Sequence, residues 1–197
     1  MKHTATTLLL LLPLLLPSCA HTPGTPQNQC QINGTLASNK WDGQYIFLVP
    51  INKNDNINVD STKIHNRKFQ FTTHKTTIAD IRLSWRTRFG TQNLLVITEP
   101  GTINVTIDSI SSSHGTPQND SLQTWKQRTQ NYHITAQALS QAYRNFYAAG
   151  DTLAGDAIRA QAQANHLNYR TQSLQMAQSM PGTTLANFLL TQFHTNN

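Results

Sequence analysis

Few residues of this chain combine the types and spacings that chemistry requires. The two cysteines, Cys19 and Cys30, are not in a Cys-x-x-Cys arrangement, so a redox dithiol motif is excluded. The histidines form no His-Glu-x-x-His or Cys/His metal spacing, and the glycines form no phosphate loop. Glu99, the single glutamate, precedes Pro100-Gly101, where a turn carboxylate is favoured over a general base. We therefore predict no enzyme, no catalytic residue, no metal site and no cofactor, although spacing does not detect sites assembled from distant residues.

Residues 1–19 predict export and lipid attachment. Met1-Lys2-His3 is a basic start, residues 8–16 are almost pure leucine, and Leu16-Pro17-Ser18 precedes Cys19. This order is that of a secretory signal, and the apolar run is shorter than the roughly 20 residues that span a bilayer. Leu16 and Ser18 before the cysteine resemble the lipobox of bacterial lipoproteins. The resemblance implies cleavage before Cys19 and its acylation, with stable anchoring by two or more chains. The alternative is an ordinary signal with a coincidental cysteine.

The segment after the cleavage point predicts where the protein resides. Residues 19–28 are rich in Pro, Gly and Thr and read as a flexible tether. Ala20 follows the lipidated cysteine, and no acidic residue occurs before Asp42. By resemblance to lipoprotein sorting rules, these features imply the outer membrane without surface export. We expect an outer-membrane lipoprotein that faces the periplasm, and its removal by protease from whole cells would contradict this.

The basic excess is spread thinly over the chain. The formal net charge is +6, and its densest part is Arg82, Arg86 and Arg88 beside Trp85 and Phe89. Such a patch can hold phosphate, but an exported protein rarely meets nucleic acid. We therefore expect no nucleic-acid partner and interpret the patch as a strand end with a solvated loop. Contact with anionic lipid head groups is the alternative.

Cys30 is the cysteine that remains once Cys19 is assigned to lipid. It begins Cys30-Gln31-Ile32-Asn33-Gly34, the expected first strand. A buried structural thiol is the favoured interpretation. A redox thiol that forms an intermolecular disulfide is the alternative.

Residues 29–112 predict a β domain. Residues 45–49 are rich in β-formers and end at Pro50, and residues 59–64 and 68–71 flank a polar turn as a hairpin. Ala79, Ile81 and Leu83 alternate with polar residues, as in a half-buried strand. With residues 94–98 and 103–107, about seven short strands are expected. The predicted class is α+β, an antiparallel β-sandwich or open barrel followed by a helical hairpin and a short C-terminal helix.

Residues 113–197 predict that helical region. Residues 116–120 supply a hydroxyl, a proline and an acid at a helix start. Two apolar stripes then recur at three- and four-residue spacing, separated by Gly150. The first is Leu122, Trp125, Tyr132, Ala136, Leu139, Tyr143 and Phe146; the second is Leu153, Ala157, Ala160, Ala164, Leu167, Thr171 and Leu174. We expect the stripes to pack together as an antiparallel hairpin, because the polar faces carry too few Lys and Arg for a membrane-surface helix.

The ordered motifs of residues 29–120 resemble the DUF4369 domain of Bacteroidetes lipoproteins. The segments that carry the resemblance are residues 32–36, 42–49, 60–64 with 69–71, 98–103 and 115–120. The resemblance implies a domain that usually precedes a thioredoxin-like domain in thiol-disulfide and peroxiredoxin-type lipoproteins. This chain departs from that pattern, since it lacks the redox cysteine pair and ends at Asn197. Where the family's turn commonly has glycine, Asn66 can take the left-handed conformation instead.

Four hydroxyl residues follow an aspartate in a pattern that resembles the Bacteroidetes O-glycosylation motif. They are Ser61, Ser109, Ser121 and Thr152. Two lie inside family motifs, which have their own reasons to exist, so glycosylation is a hypothesis. An intact mass without added hexose would contradict it.

The leading functional prediction is a non-catalytic, membrane-anchored periplasmic module that binds or scaffolds a protein or another envelope component. The membrane contact is the lipid on Cys19. The alternative is an accessory or degenerate member of a thiol-disulfide redox system that acts through Cys30 with a separate thioredoxin-like partner. Alkylation of Cys30 in the native protein discriminates between the two.

Overall fold

The computed structural model describes residues 28–51, 60–83 and 94–194, and over these ranges it confirms the α+β class. The strands are β1 Cys30–Leu36, β2 Tyr45–Pro50, β3 Asp60–Lys63, β4 Lys68–Thr73, β5 Ile78–Arg82, β6 Leu95–Ile97, β7 Gly101–Ile107 and β8 Ser112–His114. A 3-10 turn occupies Asn39–Trp41, and the helices are α1 Pro117–Ala148, α2 Thr152–Ser179 and α3 Thr184–His194. None of the described helices is long and apolar enough to cross a membrane.

The strands form two open sheets that face each other as a sandwich. The first sheet has the order β4-β1-β7-β8, and the second has the order β3-β2-β5-β6. The central pair of the first sheet, β1 and β7, is parallel, with Cys30 beside Gly101 and Leu36 beside Ile107. The other ladders are antiparallel. The parallel pair departs from the predicted antiparallel sandwich, because the chain visits the second sheet before β7 returns to lie beside β1.

The main core lies between the two sheets. Alternate residues of β1, β4 and β7 point into it, as their period of two requires. The buried members from the first sheet are Cys30, Ile32, Leu36, Phe69, Phe71, Ile103, Val105 and Ile107, and those from the second sheet include Ile46, Leu48, Ala79, Ile81 and Val96. This core is therefore the sandwich interior that the alternating strands predict.

A second core lies on the outer face of the second sheet. Ile78, Leu95 and Ile97 pack there against residues of the three helices, which are Leu122, Trp125, Ala177, Leu185, Ala186, Leu189 and Phe193. Residues 78–81 of β5 are consequently all buried. The prediction of a half-buried alternating strand is wrong here, because the helices exclude solvent from the second face.

Of the hairpin predicted at residues 59–71, the structure contains the turn but not the pairing of its two strands. Asn66 and Arg67 have φ values of 50° and 62°, and His65 and Lys68 exchange two backbone hydrogen bonds of 2.9 Å. The left-handed conformation expected of Asn66 is thus confirmed. Beyond the turn, β3 pairs with β2 and β4 pairs with β1, in different sheets. The turn carries the chain across the sandwich, so the prediction of one two-stranded ladder is wrong.

Candidate functional site

The structure places the four candidate glycosylation residues on separate elements. Ser61 is in β3, Ser109 follows β7, Ser121 is in the first turns of α1, and Thr152 begins α2. Ser121 is half-buried, and the other three are exposed. They do not form one site, and their glycosylation stays a prediction.

The lipid-bearing residue and most of the basic patch fall outside the described residues. This applies to Cys19, Arg86 and Arg88, and also to Trp85 and Phe89. Arg82 is described, and its Nε donates to Asp80 Oδ2 at 3.1 Å. Among the described residues, no group of three or more His, Cys, Asp or Glu could hold a metal ion.

Cys30 lies at the start of β1 with its thiol in the main core. It is 2% exposed, as the structural interpretation requires. Burial, and secondarily the charge of Glu99, raise the pKa of the thiol to about 12. The thiolate is the nucleophilic form, so at neutral pH this group is almost entirely in its unreactive form. A redox role for Cys30 stays a prediction.

The motif at residues 115–120 joins α1 to the edge of the second sheet. The fully buried Asn119 accepts a hydrogen bond from Ile97 N at 2.9 Å and donates to Ile97 O at 2.8 Å. It also donates to Thr116 Oγ1 at 2.8 Å. One side-chain amide therefore satisfies both backbone groups that the edge strand β6 directs away from β5 at this residue.

A carboxylate from outside the motif lies at the start of α1. Glu99 Oε1 accepts from Gln118 N at 2.7 Å, and Glu99 Oε2 accepts from Gln118 Nε2 at 2.9 Å. The Thr116 hydroxyl makes no capping hydrogen bond with a backbone N–H of the first turn. The predicted hydroxyl cap is thus replaced by Glu99, whose charge suits the positive end of the helix dipole. Sequence spacing did not reveal this role, because Glu99 and Gln118 meet only in the folded chain.

Two further polar residues of α1 close the open edges of the sandwich. Gln123 Oε1 accepts from Ser113 N at 3.1 Å. Lys126 Nζ donates to Leu95 O at 3.3 Å and to Ser113 Oγ at 3.1 Å. Ser113 is in β8 and Leu95 is in β6, which are the edge strands of the two sheets. Since Ser113 is 1% exposed, its contact with Lys126 is structural and gives a substrate no access.

Lys126 should make the stability of the fold depend on pH. Burial lowers the pKa of its ammonium from 10.5 to about 8. Between these values the unfolded chain binds more protons than the folded chain, so the folded state gains stability as the pH rises. Relative to Lys126→Met, we expect the free energy of unfolding of the wild type to rise by about 2 kcal/mol from pH 7.5 to pH 10. Urea unfolding of both proteins across this window measures the difference, and a pH-independent difference would contradict the assignment.

Beyond the contacts with the sandwich, α1 and α2 continue together as a helical hairpin. The buried residues of α1 all lie between Asn119 and Trp125, and those of α2 are Gly155, Ser173 and Ala177. We call residues 130–168 the arm. The part of α1 that belongs to the arm, residues 130–148, is about 28 Å long. Residues of the arm belong to neither hydrophobic core.

The interior of the hairpin is aromatic and polar. The rings of Tyr132 and Tyr169 stack with centroids 4.4 Å apart, and the Tyr169 hydroxyl lies 3.0 Å from Thr129 Oγ1. Asn165 Nδ2 donates to Tyr132 O at 3.4 Å. Near the tip, Tyr143 packs beside Gly155, where an added Cβ would lie 3.9 Å from the ring. These contacts determine which face of α2 turns toward α1.

The two predicted stripes have different outcomes. On α1, Leu122 and Trp125 are buried, and Tyr132, Ala136, Leu139 and Tyr143 are half-buried, so the first stripe faces the protein over this length. Its last member, Phe146, is 39% exposed. The second stripe is wrong as a packing face from Leu153 to Thr171: Leu153 is 83% exposed, Leu167 is 59% exposed, and the other residues at this spacing are exposed too. Its last member, Leu174, is half-buried and packs against the second core. The α2 residues on the side of α1 are Gly155, Ile158, Ala162, Asn165, Tyr169 and Ser173. Small and polar partners fit beside the bulky rings of α1, and this leaves the alanine-rich stripe in solvent.

A shallow groove of about 410 Å³ runs along the hairpin. Its lining includes Arg128, Asn131, Asn165, Asn168 and Gln172, and the lining holds no carboxylate, histidine or cysteine. The amides and the guanidinium, together with the hydroxyls of Tyr132 and Tyr169, can bind a ligand through hydrogen bonds. The groove lies at the base of the arm, and its lining extends beyond the arm to Arg128 and Gln172. The arm, with this groove at its base, is the candidate binding surface.

Comparison with known proteins bears on the sandwich and not on the arm. Comparison with curated proteins and with solved structures found no match. The model of one family, described as a domain of unknown function, DUF4369, matches residues 30–122. The matched residues contain all eight described strands and the start of α1 as far as Leu122 in the second core. The predicted resemblance to DUF4369 is confirmed over residues 30–122.

Proposed function

We propose that this protein is a non-catalytic binding module of the cell envelope that engages a protein partner through its arm. It is held at the outer membrane by lipid on Cys19 and faces the periplasm. The observation that carries the binding role is the exposed apolar surface of the arm. Ile134, Tyr147, Leu153 and Leu167 are 57%, 63%, 83% and 59% exposed.

The distribution of exposed apolar side chains supports this role. Of the seven large apolar residues found exposed in the described part of the chain, five lie in the arm. The outer face of the first sheet instead carries polar residues, with Asn33 Oδ1 accepting from Gln31 and Gln70. Grouped apolar exposure is typical of interaction sites, whereas single exposed residues are ordinary. The arm is thus the favoured contact surface, with the DUF4369 domain as its base.

The burial of Cys30 and the engagement of Glu99 support a binding role over chemistry at these two residues. Cys30 is buried with a raised pKa, and the carboxylate of Glu99 is engaged at the start of α1. A buried thiol and a hydrogen-bonded carboxylate of this kind stabilise a fold and are poorly placed to meet a substrate. No observation in the described residues favours the redox alternative.

Photo-crosslinking in cells tests the proposal. A photoreactive phenylalanine analogue replaces Tyr147 at the tip of the arm or, as a matched control, the exposed Gln70 on the first sheet. We expect envelope fractions to contain an adduct with a second, different protein for the Tyr147 position and not for Gln70. Identical adducts at both positions, or adducts at Gln70 alone, would contradict a role for the arm.

A separate variant tests the anchor. Cys19→Ser removes the sulfur that accepts the lipid, so the protein should move from the membrane fraction to the soluble periplasmic fraction. Retention of this variant in the membrane would contradict lipid anchoring at Cys19. Metabolic labelling with a fatty acid, present in the wild type and lost in the variant, checks the same point chemically.

A further inference from the structure

We propose that the outer face of α2 binds the same face of a second copy of this chain, with the two helices antiparallel. The outer face of α2 consists of Leu153, Ala157, Ala160, Ala164, Leu167 and Thr171. This inference rests on the proposed role of the arm as an interaction element. It specifies a second copy of the chain as one partner of the arm.

The spacing of this face is that of a helix-pairing seam. Its residues alternate four and three positions apart, which is the heptad repeat of two helices that wrap around each other. The face is not needed to hold α2 on α1, because α1 contacts the opposite side through Asn165, Tyr169 and Ser173. A heptad seam of exposed leucine and alanine therefore remains available on each arm.

The sizes of the side chains select one antiparallel register. With Ala160 opposite Ala164 of the second copy, Leu167 lies opposite Ala157 and Leu153 lies opposite Thr171. Each leucine then meets a small residue, so the layers have similar volume and the helices can approach closely along the alanines. The two-fold symmetry of this arrangement repeats each contact, as a closed dimer requires.

The charges beside the seam agree with the same register. It places Asp156 on one copy opposite Arg170 on the other, and symmetry makes this pair twice. Asp156 is 63% exposed and is therefore accessible from outside, although it already forms an ion pair with Arg159 of its own helix at 3.0 Å. Arg170 Nη2 donates to Phe193 O at 3.3 Å, which holds the guanidinium beside α2. A parallel pairing in register would instead place Asp156 near Gln161 of the second copy, and the charged pair would be lost.

The other flank of the seam is uncharged. The register places Ala154 opposite Asn168 of the second copy and Gln161 opposite its own counterpart. Gln161 is exposed, and its amide both donates and accepts hydrogen bonds, so two copies of it can pair with each other across the two-fold axis. Self-complementary charge on one flank and self-complementary amides on the other favour a second copy of this chain over an unrelated apolar helix.

Self-association of the full chain carrying Cys19→Ser tests the pairing in solution. Leu167→Glu and Ile134→Glu are matched variants, since the two side chains are 59% and 57% exposed but only Leu167 lies on the outer face of α2. We expect a dimer in sedimentation equilibrium for the parent and for Ile134→Glu. Leu167→Glu should weaken dimerisation about 100-fold or more, because two leucines leave the interface and two carboxylates enter it. A monomeric parent, or equal behaviour of the two variants, would overturn the proposal.

Crosslinking of added cysteines tests the register. In the antiparallel pair, Leu153→Cys in one chain lies opposite Thr171→Cys in another, whereas the two copies of either position are about 27 Å apart. We expect disulfides in a mixture of the two variants and not in either variant alone, with the parent chain reporting any background from the buried Cys30. Self-crosslinking of each variant alone would show a parallel pair and overturn the register. If the parent is monomeric while Tyr147 still crosslinks to another envelope protein, the pairing fails and the proposed function stands.

Discussion

Replacement of Trp125 by alanine is expected to lower the free energy of unfolding by about 4 kcal/mol. Trp125 is 7% exposed within the second core. Its ring stands edge-on to Phe188 of α3 with centroids 5.6 Å apart, and its Nε1 donates to Ser173 Oγ of α2 at 3.2 Å. One side chain on α1 therefore contacts both other helices, and its loss leaves a cavity where the three helices meet. The expected loss is large compared with the roughly 5–15 kcal/mol that holds a domain folded.

The matched control for Trp125 is an aromatic residue of the same helix that lies outside both cores. Tyr147 is 63% exposed near the tip of the arm, so Tyr147→Ala should cost less than about 1 kcal/mol. Urea unfolding followed by circular dichroism measures both variants. Similar losses for the two would show that Trp125 does not hold the helices together.

Asn119→Ala is expected to destabilise the fold by about 3 kcal/mol. The variant leaves Ile97 N–H without the acceptor that it has in Asn119 Oδ1 at 2.9 Å. It also removes the amide donor to Ile97 O and Thr116 Oγ1. Each polar group that stays buried without its partner costs roughly 1–3 kcal/mol, and a small cavity adds to this. The lost hydrogen bonds are those that connect β6 to α1.

An asparagine on the exposed side of the same helix provides the control for Asn119. Asn131 is exposed, and Asn131→Ala should change the free energy of unfolding by less than about 0.5 kcal/mol. Hydrogen exchange at the Ile97 amide gives a local readout, since this amide should lose protection in Asn119→Ala and keep it in Asn131→Ala. Unchanged protection of Ile97 in both variants would contradict the hydrogen bond as the source of stability.

The local part of this fold follows from local sequence. Strand β7 was predicted from the alternation of Ile103, Val105 and Ile107, all of which are buried. The left-handed turn was predicted from Asn66, whose short polar side chain tolerates that conformation. The start of α1 was predicted near Pro117 from helix-start chemistry, and the helix begins there. Each of these features depends on residues a few positions apart.

The errors occur where distant surfaces compete for the same residues. Strand β3 could have paired with β4 beyond the turn, but it pairs with β2 in the second sheet instead. The alternation of Ala79 and Ile81 with polar neighbours indicated one solvated face of β5, but α1 and α3 cover that face. The hydroxyl of Thr116 was expected to cap α1. The carboxylate of Glu99, which lies between β6 and β7, accepts the hydrogen bond from Gln118 N instead. Periodicity identifies an element and does not name its neighbour.

Helix α2 shows most clearly what the sequence determines and what the tertiary structure decides. The sequence by itself predicted a helix with an alanine-rich apolar stripe from Leu153 to Leu174, and it predicted the resemblance of residues 29–120 to DUF4369, whose family model matches residues 30–122. Only the tertiary structure decided that this stripe faces solvent, with Leu153 83% exposed, while Tyr169 and Ser173 turn toward α1. The physical reason is that hydrophobic spacing describes the surface of a single helix. Which surface packs depends on the shape and hydrogen bonds of its partner, here the rings of Trp125, Tyr132 and Tyr143.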